Sequence, residues 1–310
     1  MTVNLNIVET YVNVFAVWFR LSQSNVWWMD GTFGAKPVIF EQLYTIHVKS
    51  SNEFMPAVWC LLPNKQMQTY TRLFQLMKNA AAQLQLNLNP GVIHADFEMA
   101  VIGAVSAEFG IETSGCLFHF CQSILRHVAA NGLQTAYNGN NPPEVRTTVR
   151  RLMSMPLVPP IRIDQAFNAI ANQAPSIPGM DILVNYVRDT YIDVQGALFD
   201  RAVWNCYGMV DRTTNSCEAY HRVVNAEFHH HSPDPYKFVE FLQRQEMEFE
   251  RRQAQLLLGA APKKRRPTYV MVDEALTRLR GTYFGGGIPS IARVITYMDA
   301  VGHQLYDVKH

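Results

Sequence analysis

Three short apolar runs at the start of the chain, and the alternation that follows them, constrain its fold most strongly. The first run is VWWMD at 26–30; the runs at 39–48 and 54–62 are rich in β-branched and aromatic residues and are separated by the polar turn KSSNE. Such runs are typical of strands, and the turn predicts a hairpin. Apolar side chains then recur at spacings of three and four over 65–86, which predicts an amphipathic helix.

The alternation continues to about residue 119. The pattern predicts a short strand at 92–96, a helix at 97–109 and a strand or strand end at 114–119. The resulting order is β-β-β-α-β-α-β, three strands in a meander followed by alternating elements. We therefore expect an α/β fold with a mixed sheet and helices on its faces.

The sequence pattern changes after residue 120, where helical patterns interrupted by prolines replace the strand signals. A further helix fits 213–230, and Asp234 with Pro235 in the first turn predicts a long helix that ends near residue 258. Helices are expected before these two at 120–132, 143–153, 163–172 and 180–192.

Charge is distributed unevenly along the chain. The 310 residues include 27 basic and 26 acidic side chains, and this net charge of +1 argues against a uniformly basic nucleic-acid binder. Residues 122–162, however, contain five basic side chains and one acidic one, and 236–310 contain twelve and eight. Contacts with phosphate are therefore expected to be local and to lie in these two segments.

Cysteine usage and hydropathy predict a soluble, intracellular protein. The five cysteines are too few and too scattered for a disulfide framework in a chain of this length. No lysine or arginine precedes Arg20, so the N-terminus does not have the pattern of a secretory signal. No stretch reaches the roughly 18 apolar residues that a membrane span requires.

Two aspartates close predicted strands. If the strands that end at Asp30 and Asp96 are neighbours, their carboxylates meet at one edge of the sheet. Oxygen ligands of this kind suit Mg²⁺, and two such ions can clamp the attacking and leaving oxygens of a phosphoryl displacement. Glu218, on the predicted helix 213–230, is a candidate third acid. An aspartate after a strand is also a common cap or turn residue, so spacing alone leaves both interpretations open.

Five motifs in one order resemble the transposase domain of Mutator-like elements. They are WMDGTF at 28–33, LLPNK followed by TY and RLF within 61–74, HADFE at 94–98, GCLFHF at 115–120 and RTTNSCEAYH at 212–221. The resemblance covers about residues 20 to 230. It implies an RNase H-like fold, an acid triad, and an all-helical insertion before the last catalytic helix.

The resemblance assigns roles to individual residues. Asp30, Asp96 and Glu218 match the catalytic acids and would hold two Mg²⁺ or Mn²⁺ ions. Thr214 departs from the family, which often has a second asparagine there, and this substitution alone does not imply inactivity. Supporting roles near the active centre fall to Glu98, Cys116, His119, Asn215 and His221.

The resemblance also divides the chain. Residues 1–24 are an N-terminal extension, and 25–120 form the first part of the RNase H-like core. The final catalytic helix lies within 211–232. The remaining segments are the helical insertion at 121–210 and a C-terminal helix, basic loop and tail at 233–310.

Two Cys/His motifs raise the possibility of structural zinc. Cys116-x-x-His119-x-Cys121 and Cys217-x-x-x-His221 formally supply two ligand pairs. Cys217 and Glu218 are neighbours on one helix and point about 100° apart, so separate sites would need favourable geometry. Packing and hydrogen bonding are therefore favoured over bound zinc or a DNA contact. The run at 229–231, three histidines, is interpreted as a solvated helix end.

Basic and aromatic side chains outside the triad are candidates for DNA contact. The PKKRRP loop at 262–267 has the composition of a nuclear localisation or nucleic-acid-binding segment, and a solvated loop is the alternative. Trp204 is favoured as a core residue over a base-stacking platform. The DNA-binding candidates, with ordinary solvated faces as the competing interpretation, are Arg146, Arg150 and Arg151 on the helix at 143–153, and Lys263, Lys264, Arg265 and Arg266 in the loop.

The function that these features predict is that of a DNA transposase catalytic core. It would hydrolyse a phosphodiester and transfer the strand at transposon ends, with double-stranded DNA as partner and a homo-oligomer as the expected assembly. One alternative is a domesticated or inactivated transposase-derived protein with a DNA-binding or regulatory role. The other is a stand-alone nuclease of this fold. Three acids in their expected motifs favour catalysis.

Overall fold

The computed structural model describes residues 14–51, 53–229 and 231–306. Its sheet has the strand order β3-β2-β1-β4-β5. β1 pairs with β2 and β2 with β3 in antiparallel fashion, whereas β4 runs parallel to β1. The strands are β1 (Val26–Thr32), β2 (Gln42–Ser50), β3 (Glu53–Leu62), β4 (Val92–Ala95) and β5 (Thr113–Gly115).

The described residues form two compact units. The first comprises the described residues up to Thr113 together with Thr213–Lys263, and the second comprises Ser114–Arg212 with the described residues from Lys264 onward. The helices, in chain order, are α1 (Val14–Gln23), α2 (Met67–Gln83), α3 (Met99–Phe109), α4 (Leu117–Ala130), α5 (Gln134–Gly139), α6 (Pro143–Ser154), α7 (Ile163–Gln173), α8 (Met180–Val187), α9 (Arg201–Trp204), α10 (Asn215–Glu227), α11 (Pro235–Leu257), α12 (Pro267–Phe284) and α13 (Ile291–Tyr306).

The sheet of the first unit is covered by helices on both faces. Side chains alternate between the faces of a strand, so Trp27 and Met29 of β1 join one apolar cluster with residues of α1, α2 and α3. Leu43 of β2 joins a second cluster with α10 and α11, in which Phe238 is fully buried. The expected mixed sheet flanked by helices is confirmed.

Local sequence signals set several helix boundaries. Asp234 caps α11, because its side chain accepts hydrogen bonds from the backbone N–H groups of Tyr236 (2.9 Å) and Lys237 (3.3 Å). Pro235 occupies the first turn, where its missing N–H costs nothing. Helix α3 is capped by Gly110, which adopts a left-handed φ of 68° that glycine accommodates without strain.

Several predicted boundaries shift. Strand β2 begins at Gln42 rather than residue 39, because pairing with β3 begins there and leaves Ile39 exposed. Helix α4 begins at Leu117, which confines the predicted strand at 114–119 to its first two residues. The predicted helix 180–192 ends as an α-helix at Val187, and a π-helical turn continues it to Ile192.

The second unit is helical wherever it has regular structure beyond β5. Between residues 116 and 212, all of which are described, no strand occurs. Helix α13 packs against α6 and α7, and its buried residues Val294, Tyr297, Met298 and Val301 recur at helical spacing. Trp204 is 1% exposed and its Nε1 donates to the carbonyl of Tyr191 (3.0 Å), which confirms its prediction as a core residue.

The complete arrangement is a mixed α/β fold of the RNase H-like kind. A helical segment separates the first strands and helices from α10, as the resemblance implies. Among the described helices, none combines the length and the apolar character that crossing a membrane requires.

Candidate active site

Strand register brings Asp30 and Asp96 to the same level of the sheet. In the parallel pair β1/β4, Trp27 lies opposite Ile93 and Trp28 opposite His94, a constant offset of 66 residues. Continuing that offset by two residues places Asp30 level with Asp96, on neighbouring chain segments that are about 4.8 Å apart where strands pair. The prediction that the first strand ends at Asp30 is two residues short, because β1 continues to Thr32, whereas Asp96 directly follows β4. The parallel pairing of β1 and β4 therefore brings the two acids to the same end of this strand pair.

Both aspartates line one open pocket in the first unit. Three carboxylates, from Asp30, Asp96 and Glu98, share it with a single ammonium group, that of Lys65. Sequence reasoning missed Lys65, although it lies in the LLPNK motif. The remaining lining residues are Gly31, Phe33, Gln42, Tyr44 and Val101.

Asp30 is held by its own strand and by α10. It is 8% exposed, and its Oδ1 accepts a hydrogen bond from the N–H of Gly31 (2.9 Å). Its Oδ2 lies 3.5 Å from Nδ1 of His221, whose Nε2 is 2.9 Å from the hydroxyl of Thr45. Burial lowers the pKa of His221 to about 4, so the ring is neutral at pH 7. An ionised Asp30 can only accept, so we place the single ring proton on Nδ1.

Asp96 and Glu98 follow β4 in the turn that leads into α3. Asp96 Oδ1 accepts from the N–H of Phe97 (2.6 Å). Glu98 Oε1 accepts from the hydroxyl of Tyr70 (3.1 Å), which itself accepts from Nε2 of Gln42 (2.6 Å). Burial raises the pKa of Glu98, the charge of Asp96 acts in the same direction, and Lys65 opposes both. Glu98 is thus a fixed part of the pocket.

Helix α10 presents three polar residues on one face. Glu218, His221 and Asn225 are spaced by three and four, so they lie one above the other. His221 contacts Asp30, and Asn225 Oδ1 accepts from the N–H of Ala35 (2.8 Å), just after β1. Glu218 lies on this face in the first turn of α10 and is half-buried. It does not belong to the residues that line the pocket.

Two further residues of the RTTNSCEAYH motif, Thr214 and Asn215, lie at the start of α10. Asn215 is the first residue of the helix. Thr214, where the family often has asparagine, is fully buried, and its carbonyl accepts from the N–H groups of Cys217 (2.8 Å) and Glu218 (3.2 Å). The substitution therefore leaves the first turn of α10 intact.

The pocket supplies the donor chemistry that a divalent cation requires. Carboxylate oxygens are the preferred ligands of Mg²⁺, and three carboxylates line the pocket. Within residues 14–51, 53–229 and 231–306, no group of three or more His, Cys, Asp or Glu side chains is arranged to hold a metal ion. The acids of the pocket therefore fit such an ion by the chemistry of their oxygens, whereas their arrangement in the described residues is not that of a metal site.

The two Cys/His motifs fall in different units. Cys116 and His119, at the start of α4, belong to the second unit, and Cys217 and His221 belong to the first. Zinc binds the thiolate, whereas burial raises the pKa of Cys121 to about 12 and its sulfur lies 3.1 Å from the hydroxyl of Tyr306. These observations support packing and hydrogen bonding as the role of Cys121.

The arginines of α6 make contacts inside the second unit. Arg151 forms a two-pronged ion pair with Asp299 of α13 (2.7 and 2.8 Å). Arg146 donates to the backbone carbonyls of residues 137 and 138, and the stem of Arg150 packs closely on Gly302. The three arginines that the sequence suggested for DNA contact thus each contact other residues of the second unit.

The basic loop is exposed. All four cations, Lys263 to Arg266, are solvent-accessible. In the first unit the backbone N–H of Lys263 donates to the Glu53 carboxylate (2.6 Å). In the second unit Arg265 pairs with Asp273 (2.8 Å). In the histidine run that follows α10, His229 and His231 are exposed and His230 lies outside the described residues.

A second buried histidine makes stability depend on pH. His47 on β2 is 1% exposed, and burial, reinforced by His221, lowers its pKa from 6.5 to about 3. Below pH 6.5 the unfolded chain therefore binds a proton that the folded chain rejects, and stability is lost as the pH falls towards 3. His47→Gln should reduce the slope of unfolding free energy against pH by about 1.4 kcal/mol per unit between pH 6 and 4.

Urea denaturation at several pH values measures this slope. The exposed His229 provides the control, because His229→Gln should leave the slope as it is in the wild type. An unchanged slope in His47→Gln would show that His47 takes up its proton in the folded state.

A comparison with known families covers part of the chain that carries these residues. Residues 26–123 match the family model described as the MULE transposase domain. The match begins with β1 and ends within α4, so it contains Asp30, Asp96 and Glu98. It confirms the resemblance over this stretch and supports a transposase-related function. A search of curated proteins found no match.

Proposed function

We propose that this chain, whose residues 26–123 match the MULE transposase domain, is the catalytic core of a DNA transposase. Its reaction would be phosphodiester hydrolysis at a transposon end, followed by attack of the freed 3′-hydroxyl on target DNA. The observation that carries the proposal is the register of β1 and β4, which brings Asp30 and Asp96 to one pocket. The partners would be double-stranded DNA and further copies of the chain, because two ends must be joined. The exposed 262–267 loop would direct it to the nucleus.

Asp30 and Asp96 would hold the divalent cations, and Glu218 on α10 would be the third ligand. Bound Mg²⁺ or Mn²⁺ would supply charge neutralisation and lower the pKa of a bound water. The chain itself fixes the ligands. The Gly31 N–H and the His221 ring hold the two oxygens of Asp30, and Phe97 N–H holds one oxygen of Asp96.

A two-stage assay tests this proposal. Duplexes from the DNA that flanks the coding region are incubated with the protein and Mg²⁺, and strand cleavage is measured. Pre-cleaved ends with a free 3′-hydroxyl are then offered with a plasmid, and joining is measured. We expect both reactions, and we expect EDTA to abolish both.

The pattern of failure distinguishes the alternatives. Cleavage without joining would indicate a nuclease of this fold. Binding of the duplex with neither reaction would indicate a transposase-derived DNA-binding or regulatory protein. Either result would contradict the proposed strand transfer.

A further inference from the structure

An exposed aromatic ring stands beside the carboxylates of the pocket. Phe33 lies three residues after Asp30, lines the same pocket, and remains 50% exposed. The residue before it, Thr32, is 8% exposed, and Ala35 after it is fully buried and tied to Asn225. The backbone is thus fixed on both sides of Phe33, so the position of this ring is set by the structure around it.

A cation covers part of this ring. The Lys65 ammonium lies 4.1 Å from the centroid of Phe33 and 3.7 Å from Oε2 of Glu98. It is therefore positioned from two sides, and it is the one positive group among the residues that line the pocket. The ion pair with Glu98 accounts for the presence of a cation at this position. It does not explain why a phenylalanine next to it leaves half its surface in water.

We propose that Phe33 and Lys65 form a subsite for an unpaired nucleotide next to the scissile phosphate. The base would stack on the exposed surface of Phe33, and Lys65 would contact the phosphate of the same nucleotide. This inference rests on the proposed function, because it assigns the neighbouring carboxylates to the scissile phosphodiester. Stacking of this kind accepts every base, and a nearby lysine adds a salt-dependent contact.

The subsite defines the substrate class more narrowly than double-stranded DNA. A ring can stack on a base only after that base has left the helix, which costs a few kcal/mol in a paired duplex and less at a frayed end. We therefore expect the first unit to prefer DNA with one or two unpaired nucleotides at its end over a fully paired duplex of the same sequence.

Binding is tested without catalysis, in EDTA, with a fluorescein-labelled duplex that has a two-nucleotide overhang. A second probe carries 2-aminopurine in the overhang, because stacking on an aromatic ring quenches its fluorescence. Phe33→Leu should weaken overhang binding at least about fivefold and remove the quenching, whereas Phe33→Tyr should retain both. Lys65→Gln should reduce the slope of log K against log salt by about 0.7.

Two matched variants serve as controls. Tyr236 is an 83% exposed aromatic on α11, and Lys49 lies 5.5 Å from the ring centroid of Phe54 in the β2–β3 hairpin. Neither lines the pocket, so Tyr236→Leu and Lys49→Gln should bind as the wild type does. Circular dichroism melts establish that each variant is folded.

Several outcomes would overturn the subsite. They are wild-type affinity and quenching in folded Phe33→Leu, equal losses in Tyr236→Leu, or equal affinity of the wild type for paired and overhanging ends. The proposed function fails separately, because binding in EDTA needs no chemistry. Intact quenching without cleavage or joining would refute catalysis alone, and active protein that is indifferent to Phe33→Leu would refute the subsite alone.

Discussion

Asp30→Asn and Asp96→Asn should each lower Mg²⁺-dependent DNA cleavage at least about 100-fold. The amide keeps the size of the side chain and removes the negative charge, so the cation loses a ligand while packing persists. Loss of one preorganised electrostatic contact commonly costs 10²–10³ in rate, and the loss of a metal ligand falls at least in that range. Cleavage rates at saturating DNA, measured over a range of Mg²⁺ concentrations, test this expectation.

The third acid is tested against a control on the same helix. Glu218→Gln should produce a loss of similar size, whereas Glu227→Gln should not, because Glu227 is exposed at the end of α10 and pairs with Arg244. Glu98 lines the pocket and Glu218 does not. If Glu218→Gln is active and Glu98→Gln is inactive, the third ligand is Glu98 and the triad proposed here is wrong.

Trp204→Ala should lower the free energy of unfolding of the second unit by about 3 to 5 kcal/mol. The indole is almost completely buried, and its ring centroid lies 5.7 Å from that of Phe120 and 6.1 Å from that of Tyr191. Removal of such a ring leaves a cavity that the surrounding helices fill only in part, and this range is typical of buried Trp→Ala substitutions. Urea denaturation followed by far-UV circular dichroism measures the loss.

A conservative variant separates the ring from its hydrogen bond. Trp204→Phe keeps most of the apolar volume and leaves the Tyr191 carbonyl without its Nε1 donor, so it should cost less than Trp204→Ala. If Trp204→Ala unfolds at the same urea concentration as the wild type and loses DNA binding instead, Trp204 is a base-stacking residue and the assignment to the core is wrong.

Much of the fold follows from local patterns in the sequence. The runs at 26–30 and 54–62 have the composition of strands, and the apolar spacing at 65–86 has the period of a helix, so their types are set by short-range physical preferences. Asp234 and Pro235 mark the start of α11 for the same reason. The two C-terminal helices are not predicted from the sequence. In α13 the buried residues Val294, Tyr297, Met298 and Val301 do recur at helical spacing, and this helix packs on α6 and α7.

The sequence by itself predicted strands that end at Asp30 and Asp96, which is two residues short for β1, and the motifs around the two acids indicated the family. Tertiary structure decided that β1 and β4 are parallel neighbours, which brings residues 66 positions apart to one pocket. It also added Phe33 and Lys65 to that pocket, and it paired Arg151 of α6 with Asp299 of α13. Strand composition is local and can be read along the chain, whereas strand neighbours and ion pairs depend on contacts between distant residues, which only the folded chain forms.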